Sequence, residues 1–423
     1  MTLYPFQQRV LEQTKDRHRV AYYLDMGLGK TFIGSEKAQS LNKKTLIICQ
    51  KSKVNDWIEH YKNQYQIEPY DLTQKEKLIQ FISADDTAVG IINYDLTFRR
   101  PEIDYLKNTT LMLDESSCIQ NTTAKRTKAV MKIDADNIIL LSGTPVSGKM
   151  ENLYSQAKLL GWAITKKEYE DRYINFELIQ VGGMYHKIPA RNPARRYKNI
   201  DELKQKLRQL GAIFMKSDEV IDLPAQNFQK IKVNRDPLYN KFIKDRIITV
   251  DDKEFVGDTQ LTSYLYKRQI CSYLSKEKIN AFKDLIDSTN DRLIVFYNWT
   301  NELKALLENT PKERPISIIN GKTKDLTAYE NEDNSITYIQ YQAGAMGLNL
   351  QKANKIVYFS PTDKSELYEQ SKKRIHRIGQ KSSCFYYQLI VVNSIEEKIY
   401  KSLAEHKDYT DYLFLEEEEY EKM

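Results

Sequence analysis

The chain has 423 residues, 41% hydrophobic and 29% charged; its net charge of +6 becomes 63 basic against 53 acidic residues without the acidic last eight, a balance compatible with a polyanion partner. That length exceeds one ordinary core and implies two or three domains, while no stretch approaches the roughly 18 apolar residues of a membrane span and the opening MTLYPFQQRV lacks the order of a signal peptide, so a soluble cytoplasmic protein with no membrane partner is expected. The four cysteines, Cys49, Cys118, Cys271 and Cys384, form no CxxC pair, which argues against a disulfide framework or a structural zinc.

In chain order, the first informative stretch is YYLDMGLGKTFIG (22–34). The full phosphate-loop pattern wants a glycine where Leu24 stands, but Gly27-Leu28-Gly29-Lys30-Thr31 keeps the physics. The glycines let backbone N–H groups turn toward a β-phosphate, and the helix that follows aims its N-terminus at the same charge. Lys30 is placed to reach the β- and γ-phosphates of ATP, and the Thr31 hydroxyl to ligate Mg²⁺. A flexible turn is the competing reading of so short a motif.

Short β-branched runs follow at TLIICQ (45–50), AVGIINY (88–94), TLMLDE (110–115) and NIILLSG (137–143), with helical segments between them. This alternation predicts a parallel sheet with helices on both faces. Asp114 and Glu115 end one of the runs: Asp114 suits a Mg²⁺ ligand, and Glu115 suits a base that orients and deprotonates water. Such a pair also caps helices. LSGTPVSG (141–148) adds a small hydroxylated turn, Ser142-Gly143-Thr144, after another strand.

Residues 151–222 read mostly as helix, interrupted by a hairpin or loop at IQVGGMYHKIPARNPARR. More helix is expected after VIDLPAQN (220–227). Strands then resume at RLIVFYNW (292–299), PISIING (315–321), SITYIQYQ (335–342), KIVYFSP (355–361) and CFYYQLIVV (384–392). The organisation expected is 1–160 as an ATP-binding lobe, 161–224 as a helical protrusion attached to it, and 225–423 as a second α/β lobe. Within EQSKKRIHRIGQ (369–380), Arg374 and Arg377 lie three apart, on one face if the segment is helical. Two such arginines can act as fingers that stabilise charge on a transferring phosphoryl group. A solvated basic helix is the bland alternative.

Taken in order, these pieces resemble the superfamily two helicases and translocases, most closely the Swi/Snf-type DNA-dependent ATPases. KRIHRIGQ keeps six of eight residues of that group's Asp-Arg-Ala-His-Arg-Ile-Gly-Gln. LYPFQ (3–7) resembles its opening element, ICQKSKVNDWIEH (48–60) its segment after the second strand with Trp57 in place, QAGAMGLNL (342–350) its Ala-Gly-Gly-x-Gly-x-Asn-Leu motif, and NSIEEKIY (393–400) its late Val-Glu-Glu helix. The resemblance implies two RecA-like lobes, Gln7 as the adenine reader and Gly347 in the nucleotide site. It further implies nucleic-acid contacts from Lys51, Ser52, Lys53, Asn93, Tyr94, Asn298, Trp299, Gly321, Lys322, Gly344 and Asn349, reading phosphate rather than sequence.

The chain departs from the group at Asp-Glu-Ser-Ser, where the group has Asp-Glu-Ala/Gly-His, so coupling to nucleic acid is expected through Ser116, Ser117 or Gln120; Ala345 replaces a glycine. The segment 166–198 interleaves Lys166, Lys167, Arg172, Lys187, Arg191, Arg195, Arg196 and Lys198 with tyrosines, which suits either a strand-gripping surface or a solvated protrusion. The function expected is an ATP-driven motor on duplex or forked DNA, in replication, recombination or repair. A helicase on single-stranded DNA or RNA is the first alternative, and an ATP-controlled clamp that recruits replication or repair proteins without moving is the second. Compactness suits a phage or mobile element in a bacterial host cell.

Overall fold

Strands that are apolar at every position, rather than at alternate ones, are stable only when both faces are covered. β1 (Arg19–Leu24), β2 (Thr45–Cys49), β3 (Tyr70–Asp71), β4 (Val89–Asn93), β5 (Thr110–Asp114) and β6 (Asn137–Ser142) belong to one sheet, and in β2, β4 and β6 every residue is buried. β7 (Phe176–Val181) and β8 (Met184–Pro189) form a separate antiparallel hairpin, and β9 (Ala212–Met215) returns to the sheet. The order is β3-β4-β2-β5-β6-β1-β9, parallel throughout. The computed structural model describes residues 3–146, 149–181, 183–190, 193–344 and 348–414; the chain divides into Met1–Ile221 with Glu405–Met423, and Asp222–Ala404.

Each face of this sheet has its own apolar cluster, one including Tyr23, Ile48, Leu113 and Leu140, the other Tyr22, Ile47, Met112 and Ile139. α1 (Pro5–Gln13), α2 (Lys30–Ser40) and α3 (Val54–Tyr65) pack on the second of these faces. α2 lies close: a Cβ on Gly34 would come within 2.8 Å of Leu141 Cδ1 and 3.0 Å of Met112 Sδ.

The second unit holds β10 (Gln226–Val233), an antiparallel hairpin of β11 (Ile247–Val250) and β12 (Lys253–Val256), then β13 (Leu293–Tyr297), β14 (Ile316–Ile319), β15 (Ile336–Gln340), β16 (Lys355–Tyr358) and β17 (Cys384–Val391). Its large sheet is again all parallel, in the order β10-β17-β16-β13-β15-β14, with an apolar cluster on each face.

The strands expected from apolar runs are present, and the interruption expected at 179–196 holds β8 and the end of β7, whose first three residues precede it. Three stretches expected to be helical are not. β9 has four residues, and β10 is an edge strand with most of its residues exposed, so neither carries a continuous apolar signal. The β11–β12 hairpin turns at Asp251 and Asp252, both at positive φ, a pair that reads equally well as a loop. No helix among the described residues is long and apolar enough to cross a membrane.

The second unit carries a fully buried ion pair. Lys278 donates to Glu396 Oε1 at 2.5 Å, with the two side chains 0% and 1% exposed, and Glu396 Oε2 accepts the Val391 N–H at 3.0 Å. Burial pushes the Glu396 carboxyl up, and the Lys278 charge holds it down. Lys278→Met leaves that carboxylate unpaired, so a loss of about 3–5 kcal/mol in stability is expected from urea unfolding. The further change Glu396→Gln, which keeps the acceptor for Val391, is expected to recover most of it.

Candidate nucleotide site and nucleic-acid surfaces

The phosphate loop joins β1 to α2. Gly27 and Gly29 have φ of 87° and 73°, which glycine adopts without steric cost, and Gly29 is the N-cap residue of α2. Lys30 Nζ donates to the carbonyls of Leu24 at 2.9 Å and Asp25 at 3.2 Å, folding the lysine back over the end of β1. Thr31 sits in the first turn of α2. Gln7 is buried; its Nε2 donates to Leu28 O at 3.0 Å and its Oε1 accepts the Tyr4 N–H at 2.9 Å. A Cβ on Gly29 would lie 2.4 Å from that Nε2, so Gln7 supports the loop from α1.

β5 and β6 end beside β1. Glu115 follows β5 with φ 56° and ψ 62°, a left-handed conformation costly for a residue with a Cβ. Its Oε1 accepts from Ser142 Oγ at 2.8 Å and Ser117 Oγ at 3.2 Å. A Cβ on Gly143 would lie 3.2 Å from Lys30 Nζ, so the ends of β1, β5 and β6 meet at one place. Burial pushes the Glu115 carboxyl above its ordinary range; the Lys30 charge opposes that rise and the neighbouring Asp114 adds to it. Burial likewise raises Asp114, opposed first by the Trp57 N–H and then by the charges of Lys53 and Lys30.

Several contacts that hold this site join distant positions and gave no local sequence signal, even where the residues themselves stood out. Trp57 Nε1 donates to Asp114 Oδ2 at 2.8 Å, and Tyr94 Oη donates to the Asp114 carbonyl at 3.0 Å. Asp25 Oδ2 accepts from Ser217 Oγ at 2.8 Å across 192 residues of sequence, tying the phosphate loop to the chain after β9. Ser116 Oγ donates to Gln156 Oε1 at 2.7 Å, and Gln156 Nε2 donates to Pro145 O at 2.8 Å, linking the acidic turn to the turn after β6. Gln120 reaches the same carbonyl at 3.5 Å.

The expected nucleic-acid residues of the first unit separate by burial. Lys51 and Ser52 are exposed on a 3₁₀ turn ahead of α3, with Lys53 half-buried and bonded to Asp56 Oδ2 at 2.7 Å. Asn93 and Tyr94 are buried and present almost no surface. Of the basic residues in 166–198, Lys166 pairs with Glu170, Arg172 with Glu202, Lys187 with Asp171 and Arg196 with Glu151. Arg191 lies outside the described residues.

In the second unit the helix Ser365–Lys372 stops at Lys372, so Arg374 and Arg377 stand in turns and do not share a helical face. The neighbouring motif residues explain why. The Gln380 side-chain amide donates toward the carbonyls of Gln351, Ala353 and Ile375 and accepts the N–H groups of Lys381 and Ser382, which winds the chain into a closed knot of turns. Gly379 has φ 96°, and His376 Nε2 bonds Pro224 O at 2.9 Å. Arg374 is buried. Arg377 is half-buried; its carbonyl accepts the Gln380 N–H at 3.0 Å, its guanidinium has no hydrogen bond or ion pair among the described residues, and burial alone pushes that guanidinium down.

Asn298 donates through Nδ2 to Ser360 Oγ at 2.7 Å, and Trp299 stands 5.0 Å from the Arg268 guanidinium; both line a cavity of about 300 Å³ at the ends of β13 and β15. Gly321 and Lys322 form an exposed turn after β14, with Asn320 Oδ1 accepting the Lys322 N–H at 2.8 Å. Asn349 is exposed. Gly344 is buried against Phe296, and Ala345 and Gly347 lie outside the described residues.

The SNF2-related domain matches residues 23–279, and the Helicase conserved C-terminal domain matches residues 277–379. The chain is similar to "DNA repair and recombination protein RAD54B" of Gallus gallus, 22% identical over 91% of this chain and 50% of that protein. It is similar to "ATP-dependent helicase FUN30" of Saccharomyces cerevisiae, at 23% over 90% of this chain and 44% of that protein. A viral relative, the "Probable global transactivator" of Orgyia pseudotsugata multicapsid polyhedrosis virus, is 24% identical over 88% of this chain and 82% of its own length. The chain therefore spans about half the length of RAD54B and of FUN30. With the SNF2-related match running from the end of β1 into the second unit, across more than half of its residues, the chain belongs to the SNF2-related family.

Proposed function

We propose that the chain hydrolyses ATP and spends the energy on translocating along, or remodelling, duplex or forked DNA without sequence preference, in replication, recombination or repair. The observation that carries this reading is the convergence of Lys30, Asp114, Glu115 and Ser142 at the joined ends of β1, β5 and β6. A lysine and a helix N-terminus suit a polyphosphate, and two partly desolvated carboxylates opposed by that lysine suit a divalent cation beside it. Thr31 and Asp114 would hold Mg²⁺, which when bound would supply positive charge to offset that of the phosphates. Glu115, fixed through Oε1 by two serine hydroxyls, presents Oε2 to take a proton from water. Among the described residues Arg377 is a partly desolvated guanidinium with no paired anion, and stabilising charge on the transferring phosphoryl group is the role that would complete it.

The exposed Lys51, Ser52, Lys322 and Asn349 suit contacts to phosphate backbone. DNA as the polymer is supported by the relative named for DNA repair and recombination. A viral source is compatible with the viral relative, 82% of whose length this chain covers; a phage or mobile-element source in a bacterial cytoplasm is proposed from the sequence alone. The test is the ATPase rate with no nucleic acid, blunt duplex, single-stranded DNA and RNA. Blunt duplex is expected to stimulate. Stimulation only by single strands or RNA favours a strand-separating helicase, and hydrolysis that never displaces a triplex-forming strand favours a stationary clamp.

Lys30→Ala is expected to lower turnover at least about 100-fold, and Arg377→Ala about 1,000-fold or more, with duplex binding by anisotropy retained in both. Normal hydrolysis by the Arg377 variant would remove that residue from the reaction. Ser142→Ala tests the base. Glu115 works only when ionised, and Ser142 stabilises the ionised form, so its removal lifts the carboxyl further. The acid limb of the rate–pH profile is expected to move to higher pH, and a limb that stays in place counts against Glu115 as the base.

A further inference from the structure

We propose that Trp57 is a positioning residue through which the surface turn Lys51–Lys53 acts on Asp114, so that seating of nucleic-acid backbone and loading of metal with nucleotide are coupled; the proposal rests on the ATP-driven reading above. Trp57 is 2% exposed, and its indole N–H, a donor only, is satisfied by Asp114 Oδ2 at 2.8 Å. That bond decides which carboxylate oxygen the protein occupies. The Glu115 backbone N–H also favours the ionised carboxylate, and the Tyr94 hydroxyl fixes the Asp114 backbone through its carbonyl.

The same indole sits one helical turn from the basic surface. α3 starts at Val54 directly after the Lys51–Lys53 turn, and Lys53 and Trp57 are four residues apart, on one face. Lys53 ties the turn to the first turn of α3 through Asp56. The helix also leans on the phosphate-loop helix. Trp57 meets His60 edge-on at 5.6 Å; His60 Nε2 bonds Ser35 Oγ at 2.8 Å, and its ring lies 5.0 Å from Phe32. α3 thus has one end at the surface and its flank against both Asp114 and α2. A close-packed interior does not absorb a displacement of such an element locally. If duplex tightens metal–nucleotide binding, linkage requires metal–nucleotide to tighten duplex binding by the same factor.

The test uses Mn²⁺ as the probe, with a non-hydrolysable ATP analogue, and reads bound metal by electron paramagnetic resonance with and without blunt duplex. In the wild-type chain duplex is expected to tighten Mn²⁺ several-fold. In Trp57→Phe, which keeps a ring and deletes the donor, Mn²⁺ is expected to bind about 10-fold more weakly and to ignore duplex, while duplex still binds in the absence of nucleotide. A variant with the wild-type response to duplex overturns the proposal. Should the variant not fold, 5-fluorotryptophan in the otherwise native chain decides the matter. The chain has three tryptophans, and the Trp57 resonance is assigned by elimination with Trp162→Phe and Trp299→Phe. It is expected to shift on adding duplex alone, and an unmoved resonance in a duplex-bound chain overturns the proposal. A chain that hydrolyses ATP with Mn²⁺ affinity blind to duplex loses only the coupling; one that binds no nucleotide loses the ATP reading and the coupling with it.

Discussion

A parallel sheet delivers the carboxyl ends of segments far apart in sequence to one edge, and the chemistry of the first unit depends on β5, β6 and β1 being neighbours in that order. Their ends carry Asp114 and Glu115, Ser142 and Gly143, and Leu24 ahead of the glycine loop. Strand pairing is held by buried ladders of backbone hydrogen bonds, so these groups are placed by the most rigid part of the molecule. Lys30 returns to the carbonyl end of β1, close to where Gly143 closes β6.

The site concentrates one cation against two carboxylates under partial burial. Desolvation raises both acids, and without the Lys30 charge each would be harder to keep ionised. Glu115 is also held in a left-handed backbone conformation, a strain the fold maintains through the serine hydroxyls at its carboxylate and the 3₁₀ turn that follows. A carboxyl raised by burial while nearby donors oppose that rise suits the proton abstraction proposed for Glu115.

The second unit divides its arginine-bearing motif between architecture and chemistry. His376, Gly379 and Gln380 hold the turns after Ser365–Lys372 in shape, through Pro224, a positive φ and five backbone groups. The Arg377 guanidinium is left partly desolvated, with no ion pair among the described residues. The basic residues of 166–198 went the other way: several that looked available in the sequence face carboxylates, so their charge is partly spent at home. Exposed pairs of this kind are weak, yet they lower the field that segment offers a polyanion.

Much of this was legible in the amino-acid order. Continuous apolar runs marked the buried strands, because a strand covered on both faces cannot hide its composition. The glycine-lysine-threonine turn, the acidic pair and the two arginines declared themselves because their residue types are tied to phosphate chemistry. What stayed hidden was whatever depends on a distant neighbour. β9 and β10 are strands because β1 and β17 offer them an edge, not because of their own residues. Asn93, Tyr94 and Gly344 stand at or just after strand ends, as surface contacts do, but the fold covers them. Trp57 becomes a partner of Asp114, and Asp25 of Ser217, only when segments 57 and 192 residues apart meet. Local composition reports how a segment must be solvated; which polar groups satisfy one another is settled only when the sheets close and water leaves.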